Sequence, residues 1–127
     1  MNREPLSVVV TTLDNDATLE RCLASVRFAD ELVVLDSGSS DRTKTIAAAF
    51  GARWFVEPFK GYGPQKQSAI DKATHRWVLL LDADEAVPEA CRAVIEAVLV
   101  APDCAGYEIP RREQVFWRMQ HEAAHHN

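Results

Sequence analysis

No apolar run in this chain is long enough to span a bilayer, and Met1-Asn2-Arg3-Glu4-Pro5 leads into a short strand rather than a signal-peptide core. A cytoplasmic protein is expected, with any membrane contact peripheral, at the inner face of the inner membrane. Cysteine is scarce: Cys22, Cys91 and Cys104 are an odd count with no Cys-X-X-Cys spacing. That argues against a disulfide framework or a sulfur metal cage and leaves reduced packing residues. The formal net charge is -5 and no basic stripe interrupts the mixed charges, so a duplex nucleic acid is not the expected partner. Any anionic ligand must be held locally. Neither Gly-X-Gly-X-X-Gly nor a phosphate loop ending in Gly-Lys-Ser/Thr is present, which removes most of the support for a dinucleotide-dependent dehydrogenase or an NTPase of that class. Internal repeats, linkers and low-complexity stretches are also missing.

What is present reads as one globular domain. The 127 residues, 47% hydrophobic and 26% charged, are enough to bury a core. Strand and helix patterns alternate. Strands are expected at 6–11, 31–35, 52–56 and 76–81, with a further one beginning at 106–109. Between them lie helices: one capped by Asp16 and carrying Leu19, Cys22, Leu23 and Val26; one capped by Ser40 or Asp41 and running to about Phe50; one over 65–73; and one over 88–100 with Cys91, Val94, Ile95, Val98 and Leu99 on one face. Crossovers of that length predict an α/β fold, a doubly wound and mostly parallel sheet flanked by helices.

Three strand ends carry chemistry. Trp77-Val78-Leu79-Leu80-Leu81 is a buried parallel-type strand that runs without a spacer into Asp82-Ala83-Asp84-Glu85, at the edge where open α/β sheets bind ligands. If the strand continues to residue 84, Asp82 and Asp84 project from one face and can share Mg²⁺ or Mn²⁺ with the phosphates it carries. The bland alternative is a solvated acidic turn. Asp36 follows Leu-Val-Val-Leu and precedes Ser37-Gly38-Ser39-Ser40; it can accept hydrogen bonds from a base or sugar, or simply cap its own turn. The loop Pro58-Phe59-Lys60-Gly61-Tyr62-Gly63-Pro64-Gln65-Lys66 has the glycines and lysines to close on phosphates.

In order and in kind these segments resemble the family 2 glycosyltransferases of the GT-A type, especially the bacterial subgroup that builds the lipopolysaccharide core. Ser7-Val-Val-Val-Thr-Thr is similar to that family's first strand, and Phe28-Ala-Asp-Glu-Leu-Val-Val-Leu-Asp-Ser-Gly-Ser-Ser-Asp-Arg-Thr to its second strand and turn. Gly61-Tyr-Gly-Pro-Gln-Lys-Gln-Ser-Ala resembles its glycine loop, and Leu81-Asp-Ala-Asp-Glu its metal motif. The resemblance implies metal-assisted, inverting transfer of a sugar from a nucleotide-sugar, in first place a UDP-sugar, to a cell-envelope glycan or glycolipid acceptor. It implies a nucleotide-sugar site of Thr11, Leu13, Asp14, Asp36, Gly61, Lys66, Asp82 and Ala83. Within it Asp36 meets the uracil or ribose, Lys66 stands near the base or diphosphate, Asp82 meets the ribose or metal-bound water, and Asp84 ligates Mg²⁺ or Mn²⁺.

Two departures stand out. Leu13-Asp14-Asn15-Asp16 replaces the Asn-Glu usual after the first strand. The family continues past this point with an acceptor segment that supplies the catalytic base, whereas this chain stops after Val115-Phe-Trp-Arg-Met-Gln-His-Glu-Ala-Ala-His-His-Asn127. Residues 1–112 are therefore expected to form the donor domain, and 113–127 the start of an acceptor segment or a tail. Glu113, Glu122, His125 and His126 can stand in as base or ligands, although a terminal His-His pair more commonly belongs to a frayed tail. Two other readings compete. One is a truncated, catalytically weak nucleotide-sugar-binding or interaction module, with Phe116, Trp117 and Met119 as exposed apolar surface through which copies associate; the other is a receiver-like phosphoryl-transfer site of Asp36, Asp82 and Asp84, whose topology the Gly61 to Lys66 loop and the 82/84 pair at the fourth strand fit poorly.

Overall fold

Val8, Val9 and Val10 are all fully buried, which requires cover on both faces of their strand. The computed structural model, which describes residues 3–100 and the backbone of Gly106–Pro110 and Phe116–His121, supplies that cover. The order is β1 (Leu6–Thr12), α1 (Leu19–Ala24), β2 (Glu31–Asp36), α2 (Thr43–Ala49), β3 (Arg53–Val56), α3 (Tyr62–Asp71), β4 (Trp77–Asp82), α4 (Glu89–Val100), β5 (Gly106–Pro110) and β6 (Phe116–His121). These strands form one sheet in the order β3-β2-β1-β4-β6-β5. Its first four are parallel, and an antiparallel β6-β5 hairpin extends the β4 side.

Strand alternation sends successive residues to opposite layers. Val8, Val10, Val34, Leu79 and Leu81 pack with Leu19, Cys22 and Leu23 of α1, Ala47 of α2, and Ile95 and Leu99 of α4. Val9, Val33, Leu35 and Val78 pack with Ala69 and Ile70 of α3. Three helices thus cover one face and α3 the other. Because the chain builds outward from β1 through β2 to β3 and then returns to β1's other side with β4, the sheet's switch point lies between β1 and β4, where this topology places ligands.

Several local expectations change. Asp16 does not cap α1: its N–H donates to Asp41 Oδ2 at 3.2 Å, and the helix starts only at Leu19. Asp41 does hold the α2 entry, since Oδ1 accepts the Thr43 N–H at 2.9 Å and also the Thr43 hydroxyl. Those bonds, the hydroxyl's first, draw the Asp41 carboxyl below its ordinary range. Helix α3 begins three residues earlier than predicted, because Gly61 takes φ 106° and Pro64 fits a first turn where its missing N–H costs nothing. Val94 is 52% exposed rather than core. Phe116–His121 pairs with β4 and so belongs to the sheet, a strand not foreseen in the segment read as acceptor start or tail. The side chains of Phe116, Trp117 and Met119 lie outside the described residues, as do Cys104, Glu113, Glu122, His125 and His126.

Candidate functional site

The parallel strands end in register, so their terminal residues meet at one edge. Thr11 pairs with Asp82 and Leu35, and Thr12 with Asp36. Thr11 is the hinge of this edge: its carbonyl accepts the Ala83 N–H at 3.1 Å and its hydroxyl donates to Asp82 Oδ1 at 3.2 Å. Strand β4 stops at Asp82, and Ala83 and Asp84 form a turn, so no continuing strand aligns the two aspartates. The turn does it instead. Glu85, only 8% exposed, accepts the Asp82 N–H on Oε1 at 2.7 Å and returns its own N–H to the Asp82 carbonyl at 2.9 Å. The third carboxylate of the motif is thereby structural, and it leaves Asp82 and Asp84 facing outward.

A cavity of about 430 Å³ opens over this edge. Thr11, Leu13, Lys66, Asp82, Ala83 and Asp84 line it, which unites six of the sequence-predicted residues. Lys66 Nζ lies 3.9 Å from Asp82 Oδ1, and the Asp84 carboxylate has no hydrogen-bond or ion-pair partner among the described residues. Two oxygen-bearing carboxylates beside one ammonium suit a hard divalent ion and a polyphosphate. Among the described residues no group of three or more His, Cys, Asp or Glu is placed to hold a metal alone, so other ligands of such an ion would come from phosphate oxygens and water.

Asp14, Asp36 and Gly61 do not line the cavity. Asp36 shares the parity of Val34, which faces the α1, α2 and α4 layer, so alternation turns it from the α3 side where the cavity lies. It is 1% exposed, and its Oδ2 accepts the N–H groups of Gly38 at 2.8 Å and Ser39 at 2.6 Å while Oδ1 accepts the Ser39 hydroxyl. The turn-capping alternative describes this geometry. Asp14, at φ 52°, joins the first two loops: its N–H donates to Ser39 Oγ at 2.7 Å and its Oδ1 accepts the Ser40 N–H at 2.9 Å. Gly61 acts through its backbone by starting α3.

The remaining wall residues were not singled out in the sequence, although Phe59, Tyr62 and Gln65 lie in the loop expected to close on phosphates. Ser37 shares the parity of Val33 and Leu35, a signal available in the sequence, and so turns toward α3. Gln65, in the first turn of α3, is 3% exposed; its Nε2 donates to Ser37 Oγ at 3.3 Å and its Oε1 has no partner. Phe59 and Tyr62 form an edge-to-face pair with ring centroids 5.1 Å apart. They are 53% and 77% exposed, and with half-exposed Leu13 they give the cavity an apolar lip. Asn15 binds the base of that lip, its Oδ1 accepting the Thr12 hydroxyl at 2.7 Å and the Leu13 N–H at 2.9 Å.

Beneath the acidic turn, the Cys22 thiol donates to the Asp82 carbonyl at 3.8 Å. Burial, reinforced by the Glu85 and Asp84 carboxylates, pushes it up to about 12, so it stays protonated and packs as an apolar group. Cys22 and Cys91 are both free thiols, as expected. No helix among the described residues is long and apolar enough to cross a membrane.

Residues 7–126 match the model of glycosyl transferase family 2. The chain belongs to that family. A lipopolysaccharide core biosynthesis glycosyltransferase, LpsC of Rhizobium meliloti, is 34% identical over 114 residues, covering 85% of this chain and 42% of the relative. An uncharacterized glycosyltransferase of Rickettsia bellii is 36% identical over 97 residues, covering 76% of this chain and 33% of the relative. Among solved structures, glucosyl-3-phosphoglycerate synthase of Mycobacterium tuberculosis, in complex with Mn²⁺, UDP and glucosyl-3-phosphoglycerate, superposes with a TM-score of 0.67 at 25% identity, over 86% of this chain and 45% of that one. The mannosyltransferase PcManGT of Pyrobaculum calidifontis, in complex with GDP-Man and Mn²⁺, gives a TM-score of 0.67 at 23% identity, over 87% of this chain and 37% of that one, a likeness of fold. The chain spans less than half the length of these relatives. Family 2 is a family of enzymes, and the GT-A-like sheet predicted for this member is the one it has.

Proposed function

We propose that residues 1–112, with β6 completing their sheet, form the donor-binding domain of a glycosyltransferase that takes a UDP-sugar with Mg²⁺ or Mn²⁺ and passes the sugar, with inversion, to a cell-envelope glycan or lipopolysaccharide-core acceptor. The observation that carries this reading is the convergence of Asp82, Asp84 and Lys66 on one cavity at the switch point of the sheet. The Mn²⁺ and UDP in the mycobacterial synthase and the lipopolysaccharide role in LpsC's name support it.

In this reading Asp84, unpartnered and outward, is the metal ligand, and Asp82 meets the ribose or a metal-bound water while staying braced by Thr11. A divalent ion, when bound, offsets the charge that develops on the departing diphosphate. Lys66 adds a second positive group for that charge. Thr11, Leu13 and Ala83 form the wall against which the nucleotide lies. Asp36, Asp14 and Gly61 act at one remove: the first two fix the turn that carries Ser37, and Gly61 sets the start of α3. The base that activates the acceptor is assigned outside this chain, and acceptor-dependent turnover to the whole enzyme. The protein works in the cytoplasm, at the inner face of the membrane where its acceptor is assembled.

The test is calorimetric titration of UDP with Mn²⁺ and again in EDTA. Binding that weakens at least tenfold on chelation is expected, on the scale of one or more charge-assisted contacts. Equal affinity in both conditions would sink the metal role of Asp84.

A further inference from the structure

The cavity has two unlike ends. Toward β4 it is charged, with Asp82, Asp84 and Lys66. Toward β2 it is neutral, and Gln65 and Ser37 meet there. Adjacent residues of α3 serve the two ends, Lys66 reaching toward Asp82 and Gln65 toward Ser37. A nucleoside diphosphate has the same polarity, an anionic end joined to a flat, uncharged base.

We infer that Gln65, oriented by Ser37, reads the nucleobase and selects bases that present a ring N–H beside a carbonyl; this rests on the donor reading above. Gln65 is 3% exposed and its Oε1 is buried without a hydrogen-bond partner. Buried amide oxygens are nearly always paired, because they have given up water, so an orphan on a cavity wall is completed by a donor from the ligand. In this arrangement Nε2 donates to Ser37 Oγ and the oxygen is the free group of that amide. Ser37 is itself held, its N–H donating to the Thr12 carbonyl at 3.0 Å, and by accepting from Gln65 it keeps its own O–H to give.

The pair therefore offers one acceptor and one donor side by side. Uracil and guanine answer it with a ring N–H next to a C=O. Cytosine and adenine present an unprotonated ring nitrogen at the equivalent place, whose lone pair would face that of Gln65. The acceptor for the ring N–H comes from Gln65 because Asp36, the carboxylate next to Ser37 in the chain, already takes three donors from its own turn and lies off the cavity wall. Leu13, Phe59 and Tyr62 supply the apolar lip that a flat base can lie against.

The experiment titrates the 127-residue chain with UDP, GDP, CDP and ADP, each with Mn²⁺, and with Mn²⁺-pyrophosphate as a baseless probe of the charged end. UDP and GDP are expected to bind at least about tenfold tighter than CDP and ADP, since a site that leaves a buried polar group unpaired discriminates strongly. Gln65→Met, close in shape but without the amide, should lose about tenfold in UDP affinity and narrow the gap between UDP and CDP. Ser37→Ala frees the amide to turn over, so it should narrow that gap with a smaller loss for UDP. Circular dichroism and the pyrophosphate titration show that each variant is folded with its charged end intact. A wild-type protein indifferent to the base overturns the inference even if neither variant folds, and so does Gln65→Met with full selectivity. Failure of every nucleotide to bind with Mn²⁺ would instead overturn the donor reading beneath it.

Discussion

Strands β2 and β4 each run an apolar series straight into an aspartate, yet Asp36 is 1% exposed while the Asp82 side chain is 48% exposed. The difference lies in who satisfies the turn. After β2, Asp36 takes the N–H groups of Gly38 and Ser39 and the Ser39 hydroxyl itself. After β4, that work passes to Glu85, which accepts the Asp82 N–H. A carboxylate at a strand end is free for a ligand only when another group has closed the turn. Glu57, immediately after β3, is an intermediate case: Lys72, Ser68 and Lys60 all donate to it, tying the loop that carries Phe59 to α3.

The sharpest way to break the contrast is to truncate both aspartates. Asp36→Ala strands two backbone donors and a hydroxyl, and a loss of about 2 to 4 kcal/mol in folding stability is expected. Asp82→Ala should cost less than about 1 kcal/mol, since its contacts are half-exposed. Urea denaturation measures both, and similar losses would mean that the two turns do not differ in kind.

Ligand affinity should show the reverse order. Asp84→Ala is expected to weaken UDP binding in Mn²⁺ by about 2 kcal/mol, roughly thirtyfold, and to leave the affinity measured in EDTA unchanged. A loss of the same size without metal would assign Asp84 to folding rather than to the ion. Lys66→Ala should cost about 1 kcal/mol and lose part of its effect in high salt, because the ammonium is partly exposed. A salt-independent loss would point to a packing role for Lys66.

Glu57 sharpens the comparison at acid pH, with the smallest effect. Lys72 first, then Ser68 and Lys60, hold its carboxyl at about 2 against an ordinary 4.5. A carboxyl lowered in the folded state stabilises above its unfolded pKa, and that contribution fades as pH falls from about 4.5 through about 2. Glu57→Gln should therefore flatten the acid limb of a Tm-against-pH curve and leave most of the neutral region unchanged. An acid limb identical to wild type would remove Glu57 as an anchor of this loop.

Much of this was legible in the sequence. The apolar runs 8–10, 32–35 and 77–81 marked strand positions because buried parallel strands need continuous apolar residues, and residue type and order singled out Asp82, Asp84 and Lys66, which the fold brings to one cavity. The turn-closing bonds of Asp36 and the buried, unpartnered amide oxygen of Gln65 were not legible. Whether a strand-end carboxylate keeps its lone pairs depends on the conformation of the next three residues, which residue types alone leave open. The parity that turns Asp36 away and Ser37 inward was present in Val33, Val34 and Leu35, but it acquires meaning only once α3 is known to cover the odd-numbered face of β2. Strand β6 had no comparable signal, since Phe116-Trp-Arg-Met-Gln-His lacks the long apolar run of a central strand.

Every wall residue of the cavity falls between Thr11 and Asp84, on one unbroken stretch of chain. A ribosome therefore delivers the whole pocket before it reaches α4. During synthesis β2 and β3 can each dock on an edge already laid down, and only β4 must travel back across β1 to complete the site. The cavity is thus closed at one late step of synthesis, when β4 docks on β1 and Asp82 meets Thr11.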